Sequence, residues 1–194
     1  MEESMGKGPR VLAAFAQLHL QMIEKQNAEL AKRVRELMDP DVLKTIENSG
    51  RISWVPLAHH IALTECLFRE GNRVQASEIC RLTVLESFSQ PFLKPLVHGA
   101  LTVLGPSLVQ FARWTPRAWF SLFRGVGELS WLPNHAGSGC LQLDDAHPLI
   151  MKSPEYIEGL ASAFSAFFEV TKSRGSIRAR AADSQVVFEF TLNK

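Results

Sequence analysis

Six histidines carry most of the chemistry this sequence could perform. His98 stands in QPFLKPLVHGALTVLGP (90–106), a segment that is otherwise almost wholly apolar. A neutral imidazole on an apolar helix suits the iron of a heme, with the surrounding pocket setting its reactivity. The same placement suits an interfacial histidine that donates to a backbone carbonyl. His59 and His60 are adjacent, so one helix face cannot hold both. Zinc sites on helices use histidines at i and i+4, and the sequence has no such pair. His135 and His147 fall in loop-like stretches with Asp144 and Asp145, a pattern for a weak surface metal site at most. No metal is expected.

Covalent chemistry has less support. GSGC (137–140) contains a serine and a cysteine, but in a hairpin turn with no helix N-terminus to stabilise an oxyanion. GVG (125–127) lacks the spacing of a phosphate loop and precedes a strand instead of following one. No carboxylates pair, so no enzyme is expected. RGSIRAR (174–180) reads as the solvated face of a strand, with an anion site as the alternative. The aromatics are more unusual. Trp114 and Trp119 are five residues apart and point to different sides of a helix. With Phe111, Phe120 and Phe123 they exceed what one helix face buries. At least one of Trp114, Trp119 and Phe120 is expected to stay exposed, as an anchor for a partner or a two-fold dimer. Trp131 and Arg124 complete the candidate ligand- or partner-binding set, and no catalytic residue is named.

These side chains are positioned mainly by helices. Val11, Leu12, Phe15, Leu18, Met22, Ile23, Leu30, Val34 and Leu37 recur at three- and four-residue steps. They predict one long amphipathic helix, or two with a break near Asn27. MDPD stops it, with Asp39 capping a short helix that has Pro40 in its first turn. Further stripes run from Leu57 to Phe68 and from Val74 to Phe88, separated at Gly71. Pro91 opens the segment with His98. SLVQFARWTPRAWFSLFRG (107–125) reads as one or two short helices divided at Pro116. After Gly127 the period changes. GELSWL and GCLQL read as antiparallel strands. SPEYIEGLASAFSAFFEV is a helix capped by Ser153, with Ile157, Leu160, Phe164, Phe167 and Phe168 on its buried face. SIRARA and VVFEFTL form a closing hairpin. The expectation is an α+β fold in one domain, 1–194. A helical subdomain (1–125) packs on a small antiparallel sheet of order β-β-α-β-β with one crossing helix (126–194).

The net charge is +1, from 21 basic and 20 acidic residues, which argues against a nucleic-acid surface. Three cysteines, Cys66, Cys80 and Cys140, lie far apart without CxxC spacing, as in a reducing compartment. The start lacks the apolar run of a signal peptide, and no stretch has the length and polarity of a membrane span. A cytoplasmic protein is expected.

SWVPLAHHIAL, GPSLVQFARWTPRAWFSLFRGVGELSW and PEYIEGLASAFSAFFEV, with this order of elements, resemble an uncharacterised family expanded in myxobacteria. That family resembles in turn the heme–nitric oxide/oxygen-binding (H-NOX) and 4-vinyl-reductase-like fold. The resemblance spans 11–192. It implies a heme held by a histidine on a helix before the sheet, where His98 stands. It also implies a Tyr-x-Ser-x-Arg motif for the heme propionates. WLPNHAG has Trp131, Pro133 and His135 at those places, so both hydroxyls and the guanidinium are missing, and Arg124 lies upstream. The leading expectation is therefore a non-enzymatic sensory or interaction module without a cofactor. It would bind a protein partner or a small apolar ligand in a signalling or regulatory setting, using a cleft between its two halves. The alternative is a heme-based gas sensor using His98.

Overall fold

The computed structural model describes residues 8–104, 107–133 and 139–193. Strand β1 (Arg10–Leu12) leads directly into α1 (Ala13–Gln26). Asn27 ends α1 and starts α2 (Ala28–Leu37), its side chain accepting from the Leu30 N–H at 2.9 Å. The break thus falls where expected. Asp39 caps α3 (Pro40–Asn48) in the same way, accepting from the Asp41 N–H. Strand β2 (Trp54–Pro56) precedes α4 (Leu57–Glu70), and Asn72 caps α5 (Arg73–Ser87). These caps satisfy backbone donors that a helix cannot pair within itself.

Helices α6 (Lys94–Leu104) and α7 (Leu108–Leu122) follow, then β3 (Phe123–Arg124). Pro116 does not divide α7, contrary to expectation. The helix runs through it, with Phe111, Ala112, Thr115, Trp119 and Leu122 buried on both sides of the proline. A proline in a helix interior costs about 3 kcal/mol, less than the burial of so many side chains returns.

The C-terminal part has β4 (Glu128–Pro133), β5 (Gly139–Asp144), α8 (Pro148–Met151), α9 (Pro154–Phe164), α10 (Ala166–Val170), β6 (Gly175–Ala182) and β7 (Gln185–Leu192). Where one crossing helix is expected over 153–170, the chain makes two, α9 and α10, and the short α8 precedes them. The four strands form an antiparallel sheet of order β4-β5-β7-β6. The row Trp131, Leu141, Phe188, Ala179 faces the helices, and the row Leu132, Cys140, Glu189, Arg178 faces outward. This period-2 alternation follows from the pleat. Ser153 caps α9, which seats Tyr156, Leu160 and Phe164 inward with Phe167 and Phe168 of α10. Ile157, expected on that buried face, is half-buried at its rim.

A second sheet, of order β2-β1-β3, joins three short strands that the sequence pattern did not reveal. Val11, expected in a helix, pairs with Val55 and Phe123 instead. Buried side chains from both halves form one contiguous cluster that includes Ile23, Leu63, Leu141 and Phe188. Among the described residues no helix is long and apolar enough to cross a membrane.

Candidate functional site

The chemistry-bearing residues that the fold brings together lie inside it. Helix α1 places His19 one turn beyond Phe15 on its buried face, and α4 does the same for His60 and Thr64. Helix α5 contributes Cys80 and Thr83, and α9 contributes Tyr156, the single tyrosine of the chain. His19 Nδ1 is 3.1 Å from His60 Nε2, and His60 Nδ1 is 3.0 Å from the Tyr156 hydroxyl. His19 Nε2 lies 3.8 Å from Cys80 Sγ. The result is a linear hydrogen-bonded chain, Tyr156–His60–His19–Cys80, that ties α9, α4, α1 and α5 together.

One proton arrangement satisfies this chain best. A neutral imidazole has one donor and one acceptor nitrogen. If the Tyr156 hydroxyl donates to His60 Nδ1, then His60 Nε2–H donates to His19 Nδ1. His19 Nε2–H then points at the Cys80 sulfur, and the weak S–H donor alone is left over. The reverse direction strands the phenol proton in the core, which is the costlier outcome.

Burial keeps every member neutral. Desolvation lowers the His19 pKa from 6.5 to about 4, and it lowers that of His60 well below 6.5, with proximity to His19 adding to the effect. Burial pushes the Cys80 thiol up to about 12 and raises the Tyr156 phenol, so neither is ionised near neutrality. A thiol so disfavoured as thiolate is no nucleophile. Thr64 and Thr83 donate to the His60 and Ile79 carbonyls one turn back, leaving the walls beside the chain apolar. Gly159 lets α9 approach closely, because a Cβ there would lie 3.1 Å from Thr64 Cγ2 and 3.4 Å from Cys80 Sγ. The space left is about 30 Å³. It admits a water or a diatomic molecule. Tyr156→Phe is expected to cost about 1–3 kcal/mol in urea denaturation, because it leaves His60 Nδ1 buried without a partner.

The residues named from sequence are dispersed. His98 is exposed on α6. Trp119 is buried, with its ring 4.1 Å from that of Phe123 and its Nε1–H donating to the Gly127 carbonyl at 3.4 Å. Trp114 is half-buried. Phe120 is 59% exposed, as expected of at least one of these three aromatics. Trp131 packs its ring 5.8 Å from Phe190. Arg124 is exposed and stacks 4.0 Å over the Trp54 ring. These five do not form one site. His135 lies outside the described residues. His147 caps α8 through Nδ1, and Asp144 accepts from Gln142 and Gln185. Among the described residues no group of three or more His, Cys, Asp or Glu could hold a metal. His19 was legible as a polar residue within an apolar stripe, four residues after Phe15 and four before Ile23. Its partners, 41 and more residues away, were not.

No family model and no curated protein matches this sequence. Solved structures do match its fold. A mutant H-NOX protein from K. algicida, Fe(II) and unliganded, aligns with TM-score 0.63 and 11% identity over 94% of this chain and 96% of that one. A structure described as probing heme distortion in the H-NOX family gives 0.60 and 10% over 94% and 95%. A mutant of T. tengcongensis H-NOX gives 0.56 and 11% over 92% and 97%. At identities this low the likeness establishes the fold alone, and that fold is the one of H-NOX proteins.

Proposed function

We propose that this chain is a non-enzymatic, cytoplasmic sensory or interaction module of the H-NOX fold. A small apolar ligand or a protein partner would bias the packing of its helical half against its sheet half. The observation that carries this reading is the neutral Tyr156–His60–His19–Cys80 chain. It crosses four helices, and it closes on a space of about 30 Å³ instead of an open reaction site. Such an element changes state only if the ligand binds its two packings differently. Phe120 on α7 is the proposed contact for a partner or a second copy. Kinship with the myxobacterial family and with 4-vinyl reductases rests on the sequence stretches alone.

Heme-based gas sensing is the second reading, and the H-NOX neighbours favour it, since their descriptions mention heme and Fe(II). The residues present here do not fit the group. His98 faces solvent, His19 and His60 face each other, and the space of about 30 Å³ beside them is far below the roughly 300–1,000 Å³ of ordinary ligand pockets. Arg124 is engaged with Trp54, and Trp131 packs on Phe190. Titration with hemin separates the readings. The expected result is no stoichiometric uptake and no Soret band. A sharp band that disappears in His98→Ala would establish the gas sensor instead.

A further inference from the structure

The outer edge of β6 is the second feature of this fold that invites a ligand. Strand β6 ends the order β4-β5-β7-β6, and among the described residues no strand pairs beyond it. The Asn193 N–H donates to the Arg174 carbonyl at 2.9 Å. In an antiparallel ladder, inward-bonded residues then alternate along β6, so Ser176, Arg178 and Arg180 bond to β7. The N–H and C=O groups of Gly175, Ile177, Ala179 and Ala181 point outward, away from β7.

The two faces beside this edge differ in character. On one side an open groove of about 950 Å³ runs between β6, α9 and the start of α5. Its apolar surface comes from Ile177 and Ala179 of β6, Ile157 and Ala161 of α9, and Val74, which is 80% exposed. The paired charges there are Arg73 with Glu158, and Arg81 with Glu78 and Glu169, and Arg178 of β6 also borders the groove at its outer edge. On the other side Arg174, Arg178 and Arg180 alternate along the outward face and are exposed, and Lys172 is exposed in the turn before β6. Glu189 is the acid beside them, and it pairs with Arg180 at 3.4 Å. Among the described residues Arg174 and Arg178 have no acidic partner.

We infer that β6 is a docking edge for an extended acidic segment of a partner protein. The segment adds a fifth strand, with apolar side chains alternating into the groove and carboxylates alternating onto Arg174 and Arg178. Free backbone groups supply the pairing, and the alternation selects the sequence. A second copy fits less well, since two β6 strands side by side set like charges against each other. The inference rests on the reading of the chain as an interaction module.

The test uses the whole chain and a fluorescent peptide alternating valine and glutamate. Expected is saturable binding that weakens with salt and slows amide exchange at Ile177 and Ala179. Arg178→Glu weakens it by about tenfold or more, because it sets like charges opposite each other. Ala179→Pro abolishes it. That change removes an outward N–H while keeping the ladder to β7, and unaltered thermal melting checks that the variant is folded. A valine–lysine peptide does not bind. Absence of saturable binding overturns the inference, as does binding that both variants leave unchanged. So does a dimer that Ala179→Pro dissolves, which would give the edge to a second copy. If binding fails while hemin is taken up, the module reading falls as well. If both fail, only the β6 surface does.

Discussion

Phe164→Ala is expected to lower the stability of the protein by about 3–5 kcal/mol. Phe164 closes α9 and is 6% exposed. Its ring centroid lies 4.9 Å from Phe188 and 5.6 Å from Phe167, in tilted and edge-on geometries that aromatic pairs favour. Phe188 is fully buried on β7, so truncation opens a void where helix and sheet meet, and rings held by a paired strand do not collapse into it. Ile157, half-buried on the rim of the same helix, sets the control: Ile157→Ala is expected to cost less than the Phe164 change. Urea denaturation with an unchanged m-value reads both. A loss below about 1 kcal/mol for Phe164→Ala would mean that this face of α9 is not seated on the sheet.

Acid is expected to destabilise the protein well before its carboxylates titrate. In the unfolded chain His19 titrates near 6.5, and in the fold its pKa is about 4. Between these values the unfolded state binds the extra proton, so stability is fully present above pH 6.5 and falls as pH drops toward 4. The slope reaches about 1.4 kcal/mol per pH unit, and the total for His19 is about 3 kcal/mol. His60 acts in the same direction, as does half-buried His59 more weakly, because its charge keeps some water. Glu78, held below its usual range by Arg81, adds to the loss only below pH 4.5. Denaturation midpoints at pH 7.5, 6.5 and 5 therefore report the histidines. His19→Leu should flatten the curve in this window. A wild-type protein equally stable at pH 7.5 and 5 would show that the imidazoles are already hydrated.

Much of the local structure was written in the sequence. Asn27, Asp39 and Ser153 each end or start a helix, because a short polar side chain reaches a backbone donor two or three residues away. The hairpin of β6 and β7 was equally legible, from clean alternation around a two-residue turn in which Asp183 takes a positive φ. The α+β class and the H-NOX likeness follow from the order of such elements. Three things needed the tertiary structure. Strands of two and three residues, β1, β2 and β3, carry too few side chains for a period, and they exist because distant segments pair. Helix α7 runs through Pro116 because burial on both sides outweighs a lost hydrogen bond. His19, His60 and Tyr156 stand 41 and 96 residues apart along the chain, each looking alone like a polar residue in an apolar stripe. Short-range hydrogen bonds and periodicity act between near neighbours and can be read from a string. Which buried faces meet is a property of the packed whole, and that meeting joined these three side chains and Cys80 into one hydrogen-bonded chain.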